Sequence, residues 1–401
     1  MTTLLTLVAF LALVLTIAAA LAAHVHLSRA SRIKAGPSPP ISILKPLAGI
    51  DDGLFENLAS FARQTYPAFE IVLGTESDDD PALVIAHRLR AQFPKVPIRI
   101  VSSAPAFGRN PKVTNLASLA RFASHDLVLV SDSNVRVASD YLTTIAAELR
   151  DPRVGLVANM IAGSGDETLG ALFENLHLNS FVTSAVAFCR FAARHACVIG
   201  KSMLFRRSDL EAIGGWRSVR NILAEDYVLG RRFEQRGFRV VISAYAIDTV
   251  NTRWSLRRFV NRHVRWAQMR RRIAPVAFAA ELLLNPTPLL ILVVLAAIDA
   301  RDLDGYPPLA LALAALFGIA LKSGSDAILF ERLARRPLTL IEIAWIPLKD
   351  VLLLGLWCVA LVRRTVTWRG HVLFIGPKSR LVRPYARSVL GRRRRTAKQV
   401  A

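Results

Sequence analysis

Cysteine is scarce: Cys189, Cys197 and Cys358 are the only three in 401 residues, and no C-x-x-C spacing occurs. That excludes a disulfide framework and a cysteine-based structural zinc site. Neither a G-x-G-x-x-G turn nor a G-x-x-x-x-G-K-[ST] loop is present, so a dinucleotide fingerprint or a P-loop is not expected. No internal repeat is visible. Acidic residues are few, 30 against 52 Lys and Arg, for a net charge of +22. They are missing altogether from Asn251 to Ala280, which holds eight Arg, and from every position after Asp350. Basic stretches beside apolar ones suit an anionic membrane surface, where each Lys or Arg contributes about 1 kcal/mol. Nucleic acid, the other polyanion that so basic a chain could bind, is not expected as a partner because long apolar runs occupy both ends.

Those runs are what the chain has in excess, with 53% hydrophobic residues. Leu4 to Ala23 is an uncharged run of twenty, long enough at about 1.5 Å per residue to cross a hydrocarbon core of about 30 Å. It lacks a basic n-region, and Arg29, Arg32 and Lys34 follow it. It therefore reads as an uncleaved signal anchor with the following domain in the cytoplasm. Val276–Ala300, Pro307–Phe330 and Ile341–Leu361 are also long enough to span. Asp302 and Asp304 are then expected outside, and Arg332, Arg335 and Arg336 inside. Four crossings would leave Arg392 to Arg395 outside, against the positive-inside rule. With Lys349 and Asp350 interrupting the last segment, one of the three is expected to be re-entrant or interfacial, and the Arg tail cytoplasmic. The expected division is an anchor at 1–30, an α/β domain at 41–250, a basic interfacial helix at 251–275, spanning segments at 276–365 and a basic tail at 366–401. Such a protein belongs in the inner cell membrane as a multi-pass protein.

Between the ends, short apolar strands alternate with helices, the pattern of a parallel α/β sheet. Strands are expected at Ile41–Leu44, Phe69–Gly74, Ile98–Val101, Leu127–Val130, Val154–Val157, Cys197–Arg206 and Phe238–Ser243. Helices are expected at Leu54–Arg63, Ala82–Gln92, Val113–Phe122, Thr168–Cys189, from Asn221–Asp226 through Arg236, and at Trp254–Arg272. The organising stretch is HDLVLVSDSNVRVA, His125 to Ala138. An apolar run there ends in Ser131, Asp132, Ser133 and Asn134, as a buried strand delivers polar groups to the ligand-binding edge of a sheet. An Asp at that edge can hold a divalent cation that bridges two phosphates; on this stretch alone it could equally cap a turn. Asp80 follows the second strand and Asp226 lies near a helix start, so the loops that bear all three acids converge on one crevice. Asp226 could instead serve a helix dipole and Asp80 a turn. Lys45 and Lys112 are candidate phosphate contacts. Arg262, Arg265 and Trp266 stand in R-H-V-R-W, where the arginines could serve either the crevice or lipid headgroups.

Asp80, Asp132, Asp226 and Arg262-x-x-Arg265-Trp266 match, in order and spacing, the D, D, D, (Q/R)xxRW set of membrane-bound family 2-like inverting glycosyltransferases. Within these, the chain resembles ceramide glucosyltransferases. The narrower match rests on SILKPL at Ser42–Leu47, DDPA at Asp79–Ala82, NPKVTNL at Asn110–Leu116, DSNVRV at Asp132–Val137 and AEDY at Ala224–Tyr227. The resemblance implies a GT-A catalytic domain, Rossmann-like with a mostly parallel sheet, flanked by transmembrane helices. It implies UDP-glucose as donor, a divalent metal (Mg²⁺ or Mn²⁺) and ceramide as the membrane acceptor. Asp80 would contact the nucleotide, Asp132 the metal and diphosphate, and Asp226 would be the general base. Asn134 stands where many such enzymes carry the second Asp of D-x-D, leaving one carboxylate fewer for the metal.

The residues make that chemistry intelligible. A leaving diphosphate is stabilised electrostatically by a cation at Asp132 and by Arg262 or Arg265, and Asp226 can take the acceptor proton. Direct attack inverts the anomeric centre. Trp266 can pack on acceptor or sugar. The rivals are a hopanoid-type N-acetylglucosaminyltransferase, a processive polysaccharide synthase, for which Gln at 262 and more spans are expected, and a non-catalytic adaptor that binds anionic lipid or nucleic acid and needs no Asp226.

Overall fold

The computed structural model describes residues 2–29, 36–102, 105–192, 195–299, 308–363, 365–368 and 371–382. The calls on Asp302, Asp304 and Arg392 to Arg395, and part of the expected anchor-to-domain linker, lie outside them.

The helix α1 (Thr2–Leu27) leads into β1 (Ile41–Pro46), α2 (Leu54–Ala62), β2 (Phe69–Gly74), α3 (Ala82–Gln92), β3 (Ile98–Val101), α4 (Pro111–Leu119), β4 (Leu127–Ser131), β5 (Val135–Arg136), α5 (Tyr141–Glu148) and β6 (Val154–Ser164). Then come α6 (Leu169–His177), α7 (Thr183–Ala192), β7 (Ser202–Arg206), α8 (Arg207–Ala212), α9 (Glu225–Gln235), β8 (Arg239–Val250), α10 (Leu256–Ile273), α11 (Pro275–Ala280), α12 (Thr287–Asp299), α13 (Pro308–Ala334), α14 (Leu340–Val362), β9 (Thr365–Trp368), β10 (His371–Ile375) and β11 (Leu381–Val382). Local chemistry sets several starts. Asn110 caps α4, accepting the Val113 N–H at 3.1 Å with Pro111 in the first turn. Ser255 caps α10, and Thr339 with Glu342 forms a capping box on α14.

Strands β1 to β8 form one sheet in the order β3-β2-β1-β4-β7-β6-β8-β5. The pairs β1/β2, β1/β4, β2/β3 and β6/β8 are parallel. β7 is antiparallel to both β4 and β6, and β5 is antiparallel to β8. Buried residues of the sheet and its covering helices, among them Phe61, Tyr141, Phe205 and Phe233, make one continuous core.

Several expectations need correction. The sixth expected strand is shorter, Ser202–Arg206, and runs against its neighbour; residues before it form a loop at the sheet edge. The expected helix Thr168–Cys189 is two helices joined by a π-turn at Leu178–Val182. β6 and β8 run on to Ser164 and Val250, past the apolar cores that marked them. The extensions, ANMIAGS and AYAIDTV, mix small, polar and apolar residues without a strand alternation, but pair with each other.

Among the described residues, three helices are long and apolar enough to cross a membrane: α1, α13 and α14. The expected span Val276–Ala300 is a pair of segments, Pro275–Leu284 and Thr287–Asp299, bent by 50°, with Pro286 and Pro288 at the break. Lys349 and Asp350 do not interrupt α14, which runs unbroken past them. They are neutralised against α13: Lys322 bonds Asp326 at 2.7 Å and also Asp350, Lys349 pairs with Asp350 at 3.1 Å, and the Thr287 hydroxyl donates to Asp350 at 2.8 Å. Two Lys and two Asp make a balanced buried set, which is what permits charge inside an apolar bundle.

One face of the basic helix α10 packs into the protein. Phe259, Arg262, His263, Val264, Ala267 and Gln268 are buried, and Arg258, Arg262 and Arg270 each pair with a carboxylate, Asp51, Glu174 and Glu281. Nor is the chain after α14 a free tail from its first residue. Gly376 to Val382 fold back onto the loop before α9, where Leu381 N–H donates to the Asn221 carbonyl at 2.7 Å.

Candidate active site

A cleft of about 600 Å³ opens at the carboxyl ends of β1 and β4, with α10 as its far wall. β4 delivers Asp132 there. The Asp132 N–H donates to the Lys201 carbonyl at 3.0 Å, one step beyond the Ser131–Ser202 register pair, and the Asp132 carbonyl accepts the Lys45 ammonium at 2.8 Å. Its carboxylate, 24% exposed, meets Lys112 at 2.9 Å and Lys201 at 3.1 Å. Burial pushes the Asp132 carboxyl up, but the two ammonium groups outweigh it and hold the group well below the usual carboxylate range.

Lys112, in the first turn of α4, also meets Glu225 at 3.1 Å and donates to the Gly200 carbonyl at 3.0 Å. Burial opposes its charge, yet Asp132, Glu225 and Asp226 raise its pKa above the lysine norm. Glu225 is pushed up, chiefly by burial and also by Asp226, against the pull of Lys112.

Asp226 stands in the first turn of α9, half-buried at the cleft. One carboxylate oxygen accepts the Gly200 N–H at 2.6 Å and the other the Tyr227 N–H at 2.7 Å. A residue with a Cβ does not fit at position 200, since that atom would lie 2.6 Å from Asp226 Cβ and 2.8 Å from its carboxylate oxygen. Gly200→Ala is therefore expected to displace the Asp226 carboxylate and lower kcat by about 10²-fold, the cost of a misplacement of about 1 Å. UDP affinity, measured in parallel, should change far less; equal loss in both would mean collapse of the whole cleft. The loop before α9 is pinned by Ser379, whose hydroxyl accepts the Leu223 and Ala224 N–H groups at 3.1 and 2.9 Å.

On the α10 wall, the Arg262 guanidinium lies 5.0 Å from the Trp254 ring centre and 4.3 Å from that of Trp266, a cation between two indoles. Behind it, Glu174 of α6, fully buried, pairs with Arg262 at 3.3 Å and accepts from His263 Nε2 at 2.8 Å. Burial pushes the Glu174 carboxyl up, and Arg262 and His263 more than offset it. Glu174→Ala leaves Arg262 buried without its counter-charge and is expected to cost about 3–5 kcal/mol of stability. Chemical denaturation in detergent would check this, and an unchanged midpoint would show the pair to be inert. Arg265 and Trp266 line the cleft beside Arg262.

The structure brings Asp132, Lys112, Asp226, Arg262, Arg265 and Trp266 to one cleft. It places Asp80 and Lys45 outside its lining. The Asp80 carboxylate accepts N–H groups from Gly49 at 3.0 Å and Ala82 at 2.9 Å, tying the loop after β1 to the start of α3. Lys45 is completely buried, bonded to Ser131 and Asp132 and 3.7 Å from the Phe61 ring centre, and burial pulls its pKa well below the lysine norm. In this structure both support the loops that carry the cleft. Sequence reasoning missed Glu174, Lys201 and Ser379. Glu174 had a signal, as a lone acid on the apolar face of LGALFENLH; Lys201 lay inside the expected strand Cys197–Arg206; Ser379 had none.

Asp132 offers one accessible carboxylate, and no cluster of three or more His, Cys, Asp or Glu occurs among the described residues. This donor set fits a hard cation that takes the rest of its shell from a diphosphate and water, as Mg²⁺ commonly does.

A mostly parallel sheet that presents an acid-bearing loop after a central strand, faced by an arginine-bearing wall, defines a glycosyltransferase of the GT-A type. The same architecture is found in a mannosyltransferase from Pyrobaculum calidifontis, solved in complex with GDP-Man and Mn²⁺, at a TM-score of 0.53 and 19% identity over 88% of this chain and 99% of that one. The chain belongs to glycosyl transferase family 21, whose model matches residues 4–381. It is 27% identical to ceramide glucosyltransferase 3 of Caenorhabditis elegans over 86% of this chain and 75% of that protein. It is 32% identical to the ceramide glucosyltransferase of Komagataella phaffii over 45% of this chain and 40% of that relative.

Proposed function

We propose that this enzyme transfers glucose from UDP-glucose to the primary hydroxyl of ceramide, with inversion at the anomeric carbon. The observation that carries the reading is the linkage at Gly200: its N–H holds the Asp226 carboxylate and its carbonyl holds Lys112, which in turn holds Asp132. A proton acceptor and a diphosphate-facing acid are thus fixed on one cleft floor. The named relatives support the sugar and the lipid.

The acceptor hydroxyl loses its proton to Asp226 as its oxygen attacks C1, and the bond from C1 to the diphosphate breaks. Asp226 is ready for this because backbone N–H groups orient both its oxygens. Arg262 and Arg265 face the cleft where negative charge grows on the leaving group. Mg²⁺ or Mn²⁺, held by Asp132, would add further neutralisation of the diphosphate. Trp266 offers an apolar face for sugar or lipid. Because α10 packs directly on α14, an acceptor that never leaves the bilayer reaches the cleft along that wall. We infer that the catalytic domain lies on the cytoplasmic, anionic face of the inner cell membrane, a reading that the basic residues Arg29, Arg32 and Lys34 after the first apolar run support.

The test supplies radiolabelled UDP-glucose, UDP-galactose and UDP-N-acetylglucosamine separately to purified protein in nanodiscs that contain ceramide. Labelled glycolipid from UDP-glucose alone is expected. Label from UDP-N-acetylglucosamine alone would move the enzyme to the rival N-acetylglucosaminyl class, and unlabelled ceramide with every donor would remove the acceptor.

A further inference from the structure

We propose that Lys201 is the lysine that grips the donor diphosphate, and that it supplies beside Asp132 part of the charge otherwise taken from a divalent ion. The inference rests on the nucleotide-sugar reading above. It starts from a count of donors. An ammonium has three N–H groups. Those of Lys112 are matched by Asp132, Glu225 and the Gly200 carbonyl, so Lys112, the expected phosphate contact, is saturated. Lys201 bonds Asp132 at 3.1 Å and the Asn134 side-chain oxygen at 2.8 Å. Among the described residues that leaves one N–H for a ligand in the cleft that Lys201 lines.

Its place follows from the antiparallel run of β7, which sets Lys201 opposite Asp132 across the ladder. The same corner explains Asn134. The Asn134 amide nitrogen faces the Val250 carbonyl at 3.4 Å and the Asn251 side-chain oxygen at 3.5 Å. An Asp there would set a carboxylate oxygen against those two acceptors and leave them unmatched. The neighbourhood thus selects an amide, whose oxygen is then turned to Lys201. Relative to an acid at 134 with no ammonium beside it, Asn134 with Lys201 shifts the local charge by two, the amount a divalent ion would bring. Lys112 and Lys201 offset two of the three acids at this corner, Asp132, Glu225 and Asp226, and Arg262 and Arg265 on the facing wall add positive charge toward an incoming diphosphate.

The experiment measures UDP and uridine binding by calorimetry on the full-length protein in nanodiscs, with Mn²⁺ and with EDTA. Wild-type protein is expected to keep UDP affinity within about tenfold when the ion is removed. Lys201→Met should weaken UDP binding in EDTA by about 10- to 100-fold, the loss for one hydrogen bond to a charged group, with uridine affinity unchanged. Lys201→Arg should retain EDTA-resistant binding. Loss of wild-type UDP binding in EDTA overturns the proposal whatever the variants do. So does wild-type affinity in Lys201→Met, or an equal loss of uridine affinity. Absence of UDP binding even with Mn²⁺ would overturn the nucleotide-sugar reading itself.

Discussion

Asp226→Asn is expected to lower kcat by about 10²- to 10⁴-fold, the range of a lost general base, with UDP affinity and thermal midpoint nearly unchanged. The amide keeps an oxygen to accept the Gly200 N–H and gives up only the acceptor of the Tyr227 N–H, so the carboxamide can stay close to where the carboxylate was. What it loses is the capacity to take a proton. Glu225 is a poor substitute, being buried and already paired with Lys112. Steady-state turnover and UDP binding measured on the same preparation would check this. Full activity in the variant would remove Asp226 as base, and the adaptor reading is the one that predicts no role for it at all.

Arg262→Lys is expected to be nearly as damaging despite keeping the charge. A guanidinium presents flat faces to Trp254 and Trp266 and an edge to Glu174 at once, whereas an ammonium is a point charge that prefers water to indole. The substitution should withdraw the cation from the cleft wall and cost about 10²- to 10³-fold in kcat, as for one electrostatic stabiliser of a leaving group. The Michaelis constant for the donor should move far less. A variant with normal turnover would assign Arg262 to packing, and the leaving-group role would then fall to Arg265.

Both residues were legible before the fold, Asp226 from its helix start and Arg262 from its R-x-x-R-W setting, whereas the groups that hold them were not. Glu174 precedes Arg262 by 88 residues, and Gly200 reaches Asp226 only because a loop before β7 comes back to the sheet edge.

The division follows from range. Sequence by itself determined the parallel half of the sheet, β1 to β4, since each strand is an apolar run bounded by polar turn residues and α4 starts on its own cap, Asn110. It determined the acid at the end of β4 and the apolar helices at both ends for the same reason. The tertiary structure alone decided the direction of β7, the burial of Lys45, the pairing of Lys349 and Asp350 with α13, the bend between α11 and α12, and the docking of Ser379 on the loop before α9. Each of these depends on which distant partner satisfies a charge or a backbone group, and no local pattern encodes a partner 100 or more residues away in the case of Ser379.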